Sequence, residues 1–193
     1  MSVVRLAARA VIGGLFIGHG TQKLFGSFGG PGRAGTEAMM ESLELRPAKL
    51  NALAAGVTET VSGSLLVLGL ATPAAAAGIT GVMTTAIKKV HLPNGPWNAN
   101  GGWEYNAVLI AAVTALVEAG PGDLSLDHAL GMERRGTVWA LGALLTGLAA
   151  SALTITAGSR GAATPGVTTA GTAAAASHDD TAGDPTTKGS DPS

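Results

Sequence analysis

Arg5, Arg9, His19 and Lys23 can each carry a proton or hold an anion, and all lie near the start of the chain. At 100° per helical residue, with Arg5 at 0°, Arg9 falls at about +40°, His19 at about −40° and Lys23 at about 0°. One stripe of about 80° therefore holds all four, and it should face other protein rather than lipid. Glu59 is the only charge between Leu50 and Ile87. It sits roughly 16 Å along a helix begun near residue 48, close to mid-bilayer depth if that helix spans. A charge there costs roughly 2.5–3.5 kcal/mol on insertion scales, so it calls for a partner or a task. Antiparallel pairing of the first two helices puts Glu59 at a depth between Arg9 and His19, either of which could neutralise it. Further along come Lys88, Lys89, His91 and Glu104. Arg9, His19, Lys23, Glu59, Lys88, His91 and Glu104 thus form a candidate polar pocket, with Glu59 deepest. Histidine relays protons near neutral pH, and an embedded carboxylate can store one. The competing account is structural: ion pairs that fix helix register, lysines that snorkel to the interface, and an interfacial His91. Metal binding has little support, because His19 and His91 lack a close-spaced partner ligand. Ser125-Leu126-Asp127-His128 imitates triad residues, but adjacency is not triad geometry, and an N-cap opening a surface helix is expected.

The elements that must hold these groups are apolar runs of membrane-spanning length. A span needs about 20 mostly apolar residues. Such runs occur at Leu6 to Phe25, at 48–70 and 73–90, from Trp103 to Ala119, and from Gly136 to Ala157. The second and third meet at Gly69-Leu70-Ala71-Thr72-Pro73, where Pro starts a helix better than it continues one. Gly14 and Gly18 form a GxxxG pair for close helix approach. Residues 29–46 are turn-rich and then amphipathic, which suits a short helix lying on or folded into the bundle. Trp97, Trp103 and Tyr105 mark one membrane interface. The first run is expected to stay uncleaved, because no small-x-small site follows it. Arg5 and Arg9 on a short N-terminal segment favour an N-terminus inside the cell.

Charged residues make up 13% of the chain and aromatics 4%, whereas Ala and Gly together supply about a third. This low-charge, small-residue balance predicts an all-α integral membrane helical bundle. The expected organisation is a four-helix bundle over residues 1–130, a fifth transmembrane helix over 131–157, and a disordered polar tail over 158–193. The absence of Cys removes disulfides, thiol nucleophiles and cysteine-held clusters. Near-zero net charge with scattered basic residues leaves no nucleic-acid footprint.

Four blocks in order carry a family likeness: Arg9 with Gly14-Leu15-Phe16-Ile17-Gly18-His19-Gly20-Thr21-Gln22-Lys23-Leu24; Glu59-Thr60-Val61-Ser62-Gly63 through Thr72-Pro73; Gly101-Gly102-Trp103-Glu104-Tyr105; and Gly120-Pro121-Gly122-Asp123 through Asp127. Across residues 5–130 the chain resembles the DoxX family of bacterial membrane proteins. The resemblance implies a four-helix, multi-pass bundle in the bacterial cell (plasma) membrane. It also implies a redox setting: some relatives are linked to quinone reduction by thiosulfate, others to redox and oxidative-stress complexes. The fifth apolar run and the tail are additions to that pattern. Two functional classes follow. One is a membrane subunit of a redox system with quinone near the polar pocket and redox-protein partners. The other is a non-enzymatic scaffold or assembly factor whose intramembrane ion pairs are structural. No catalytic residue is assigned, and no cofactor motif other than this implied quinone is evident.

Overall fold

The computed structural model describes residues 2–162. The elements are α1 (Ser2–Phe25), α2 (Gly32–Ser42), α3 (Ala48–Leu68), α4 (Thr72–Ala86), α5 (Glu104–Ala119), α6 (Leu126–Ala129) and α7 (Thr137–Ala162). A π-helical turn, Ile87–His91, prolongs α4. Short 3-10 turns occupy Ser27–Gly29, Leu92–Asn94 and Asn98–Asn100. Among the described residues there is no strand, and the all-α bundle expected from composition is what forms.

Among the described residues, three helices are long and apolar enough to cross a bilayer: Val3–Phe25, Ala48–Leu68 and Thr137–Arg160. With 16 residues α5 covers only about 24 Å. The last helix outruns its expected end at Ala157 and includes Gly158 to Ala162. Residues 163–193, and with them most of the expected disordered tail, lie outside the described residues.

Glycine sets the closest approach, but not the pair expected. A Cβ on Gly14 or Gly18 would meet nothing within 4 Å, so the GxxxG pair does not make the helix contact. Gly13 and Gly20 make it, against Gly63 and Gly56 of α3. A Cβ on Gly13 would lie 2.5 Å from the Gly63 carbonyl oxygen, and one on Gly20 2.7 Å from that of Gly56. The two antiparallel helices thus interlock through glycines spaced seven apart on each. α4 packs on α3 and most extensively on α7, and α5 lies against both α4 and α7. Gly147 lets α7 close on α4; a Cβ there would meet the Thr80 side chain at 2.5 Å. The core of Phe16, Leu66, Ala75, Ile79, Val113 and Val117 is shared by four helices, and Ala140 and Ala143 of α7 join it. The fifth helix is therefore part of the core, not an appendage. α2 folds onto α1 and α3 and closes a smaller cluster of Met40, Leu45, Ala48 and Ala52.

The α3–α4 hairpin ends α3 with Gly69 in the left-handed region (φ 63°) and starts α4 with Pro73 in its first turn. Its cap comes from Asp127, 55 residues away from Thr72. The Asp127 carboxylate accepts the Ala71 and Thr72 N–H groups at 2.9 and 3.1 Å and the Thr72 hydroxyl at 3.0 Å. Ser125 is the expected N-cap, accepting the His128 N–H at 3.2 Å. The helix it starts is not a surface one at Asp127, which is fully buried.

Candidate ligand cavity

Lys23 donates to Glu59 Oε2 at 2.6 Å. Glu59 is 3% exposed and Lys23 20%. Neither Arg9 nor His19 takes the role expected of it, and the reason is side-chain direction. With Gly13 opposite Gly63 and Gly20 opposite Gly56, Glu59 stands level with Ile17. Side chains lean toward the N-terminus of their own helix. Lys23 therefore leans back along α1 while Glu59, on the antiparallel helix, leans the other way, and the two heads converge. Arg9 and Glu59 lean apart.

This ion pair sits in the wall of a cavity of about 430 Å³. The apolar lining includes Leu15, Phe16, Met40, Ala55, Met83 and Leu109. Polar groups join it from several elements: His19 and Lys23 from α1, Glu59 and Thr58 from α3, Asn106 and Tyr105 from α5, and Ser151 and Thr154 from α7. The π turn adds Lys89 and His91. Asn106 is buried and directs Nδ2 to the Met83 sulfur at 3.3 Å. Ser151 and Thr85 share a hydrogen bond of 2.9 Å between α7 and α4. His91 Nδ1 lies 2.8 Å from the Gly101 carbonyl oxygen. His19, in contrast, is exposed, so the α1 stripe does not turn wholly inward.

Three of the expected pocket residues lie elsewhere. Arg9 is fully buried at the opposite end of the bundle, where Nη2 donates to the Leu124 carbonyl and Asp127 supplies opposite charge. Its guanidinium lies over Gly69; a Cβ at that position would overlap Nη1. Lys88 is exposed and points to a separate outer groove with Ile87, Trp103, Ile110 and Glu118. Glu104 accepts the Asn98 N–H at 2.7 Å, so it holds the loop whose Asn98 lines the cavity, without lining it itself. The pocket thus joins His19, Lys23, Glu59 and His91 and leaves out Arg9, Lys88 and Glu104. Lys89, Asn106, Tyr105 and Ser151 also line the cavity, although the expected pocket did not include them. Nothing in the sequence separates Lys89, which lines the cavity, from its neighbour Lys88, which lines the outer groove.

Residues 4–92 match the DoxX family model. This chain carries a DoxX domain. The family is one of helical membrane proteins, and together with the three span-length helices it makes this a multi-pass membrane protein. The DoxX match covers α1 to α4 and the π turn, and so includes His19, Lys23, Glu59 and His91. The rest of the cavity wall, from α5 and α7, lies beyond it. No match was found among curated proteins or among solved structures.

Proposed function

We propose that this DoxX-domain protein is the membrane subunit of a redox system in the bacterial cell membrane and that its cavity receives a quinone head group. The observation that carries this reading is the cavity itself. Its volume falls within the usual 300–1,000 Å³ of small-molecule sites, and its lining is apolar with a few convergent polar groups. Phe16, Met83 and Leu109 would offer apolar contact to a quinone ring, whose carbonyl oxygens need donors. His19, Lys89, Tyr105 and Asn106 supply them from three elements. Lys23 and Glu59 hold α1 against α3 behind that site and keep a donor–acceptor pair at its wall. A bound quinone would supply two-electron carrier chemistry; the electrons come from a redox-protein partner, and the chain's own side chains orient the head group and exchange protons.

The test is binding by the purified protein in lipid nanodiscs. Lipid quinone should be extracted with the protein above the level of empty nanodiscs, and the short-chain probe ubiquinone-1 should displace it. Glu59→Gln should keep the fold and weaken the functional output, because the amide keeps shape but carries no proton. Absence of any saturable ubiquinone-1 binding overturns the proposal. The scaffold reading draws on a different observation, the closed 2.6 Å Lys23–Glu59 contact. On that account the functional output follows stability alone, so a neutral double replacement that restores the bundle restores the output as well.

A further inference from the structure

His91 sits at the end of the π turn, where its ring lines the cavity and its Nδ1 lies 2.8 Å from the Gly101 carbonyl oxygen. A carbonyl can only accept, so Nδ1 carries the hydrogen in this contact. Asn94 Nδ2 donates to the same oxygen at 3.2 Å, which fixes the acceptor from a second side. In the neutral ring Nε2 is then a bare acceptor; in the charged ring Nε2 is a donor. The anchor is the same in both states. Proton exchange at Nε2 therefore switches the sign of the hydrogen bond offered to a ligand without moving the ring. π turns are frequent at functional sites, and this one aims Lys89 and His91 into one cavity.

Given that a quinone head group enters the cavity as proposed above, we infer that His91 is the residue that discriminates its oxidised from its reduced form, through the protonation of Nε2. An oxidised head group presents carbonyls, which accept only, and binds the charged ring. A reduced head group presents hydroxyls, which donate as well as accept, and so finds a partner in either ring state. Other charged or titratable groups facing the cavity are His19 and Lys23 from α1, Glu59 from α3, Lys89 beside His91, and Tyr105 from α5. The lining residues of α2 and α7, such as Met40, Leu43, Ser151 and Thr154, add none. Glu59 is engaged by Lys23. Histidine is the side chain whose charge ordinarily changes between about pH 5 and pH 8, so His19 is the one competitor for this role.

The experiment measures binding of ubiquinone-1 and of its quinol to the full chain in nanodiscs at about pH 5.5 and about pH 8. The wild type should bind the quinone about tenfold tighter at the lower pH, the value of one charge-assisted hydrogen bond, and the quinol should show a much smaller pH ratio. His91→Asn places an amide donor where Nδ1–H was, keeping the Gly101 anchor and removing Nε2. It should still bind both forms with a melting temperature like the wild type, and the pH ratio should fall to near one. His19→Asn should keep the ratio. A ratio that survives in His91→Asn, or is lost in His19→Asn, overturns the assignment to His91. Wild-type binding that does not depend on pH overturns the switch while leaving the cavity as a quinone site. No binding by the wild type removes both.

Discussion

Replacing either partner of the Lys23–Glu59 pair should have unequal consequences, and the inequality follows from position. Removing one member of a buried ion pair costs about 3–5 kcal/mol when the other stays buried and charged. Lys23→Met leaves Glu59 in that state: it is 3% exposed and lies mid-way along α3, far from either helix end. Glu59→Gln leaves Lys23, which is 20% exposed and two residues from the end of α1 at Phe25. A lysine so placed can redirect its ammonium to the interface, so its cost should fall to about 1–2 kcal/mol. A Lys23→Met/Glu59→Leu double replacement removes both charges and should return to within about 1 kcal/mol of wild type. For a chain of this size each kcal/mol shifts the melting temperature by about 2–4 °C. Thermal unfolding in one detergent, followed by circular dichroism, therefore resolves the order: double replacement and wild type highest, Glu59→Gln a few degrees lower, Lys23→Met lowest. Additive single effects in the double variant, or Glu59→Gln falling below Lys23→Met, would refute the reasoning.

Gly13→Ala and Gly20→Ala should each lower stability by about 1–3 kcal/mol, because their Cβ atoms meet backbone of α3; Gly14→Ala and Gly18→Ala should leave stability, read from the melting temperature, unchanged or raise it by up to about 1 kcal/mol through helix propensity. Asp127→Ala should cost about 3 kcal/mol by orphaning the Ala71 and Thr72 donors and the charge of Arg9, read as a lower melting temperature, with Asp127→Asn falling between it and wild type. Gly158 packs on Leu45, which puts the end of α7 with the loop after α1. Reporter fusions at Ser27 and Arg160 should therefore give one side and a fusion at Asp127 the other; agreement of Asp127 with Arg160 would show that α7 does not cross.

Long apolar runs made the helices legible, since burial of a span depends on composition over some twenty residues and hardly on order. The break at 69–73 was legible for a local reason: Gly69 takes a positive φ and Pro73 opens the next helix. Register was not. Choosing between the Gly14/Gly18 pair and the Gly13/Gly20 pair requires the partner helix, because either face of α1 can admit a close neighbour until α3 presents Gly56 and Gly63. That one rotation also decides which cation meets Glu59. Depth counted from the start of a span gave Arg9 or His19; the lean of side chains toward their own N-terminus gives Lys23. Asp127 stayed illegible because its partners are backbone N–H groups, and any hairpin offers those.

Hydrogen-bond accounting separates the two ends of the bundle. At the end holding Arg9, most polar groups are spent on backbone: Arg5 and Arg9 donate to the Ala119 and Leu124 carbonyls, and Asp127 accepts from Ala71 and Thr72, while Arg9 Nε and Nη1 stay buried beside Asp127 without a hydrogen-bond partner among the described residues. Arg5 thereby caps the end of α5 and Asp127 the start of α4, termini that would otherwise be left with unmet acceptors and donors, and Arg9 ties down the loop before α6. At the other end the unspent capacity borders a cavity. Lys89 makes no ion pair among the described residues, His91 spends one ring nitrogen on Gly101, and both line an apolar cavity. A lysine and half a histidine are not needed to close that end, because Glu104 and Asn94 already hold its loop. Intramembrane charge that caps a backbone is explained by the fold. Charge that faces a ligand-sized space with its donors unspent is what the proposed quinone site needs, and the cavity end is where such groups gather.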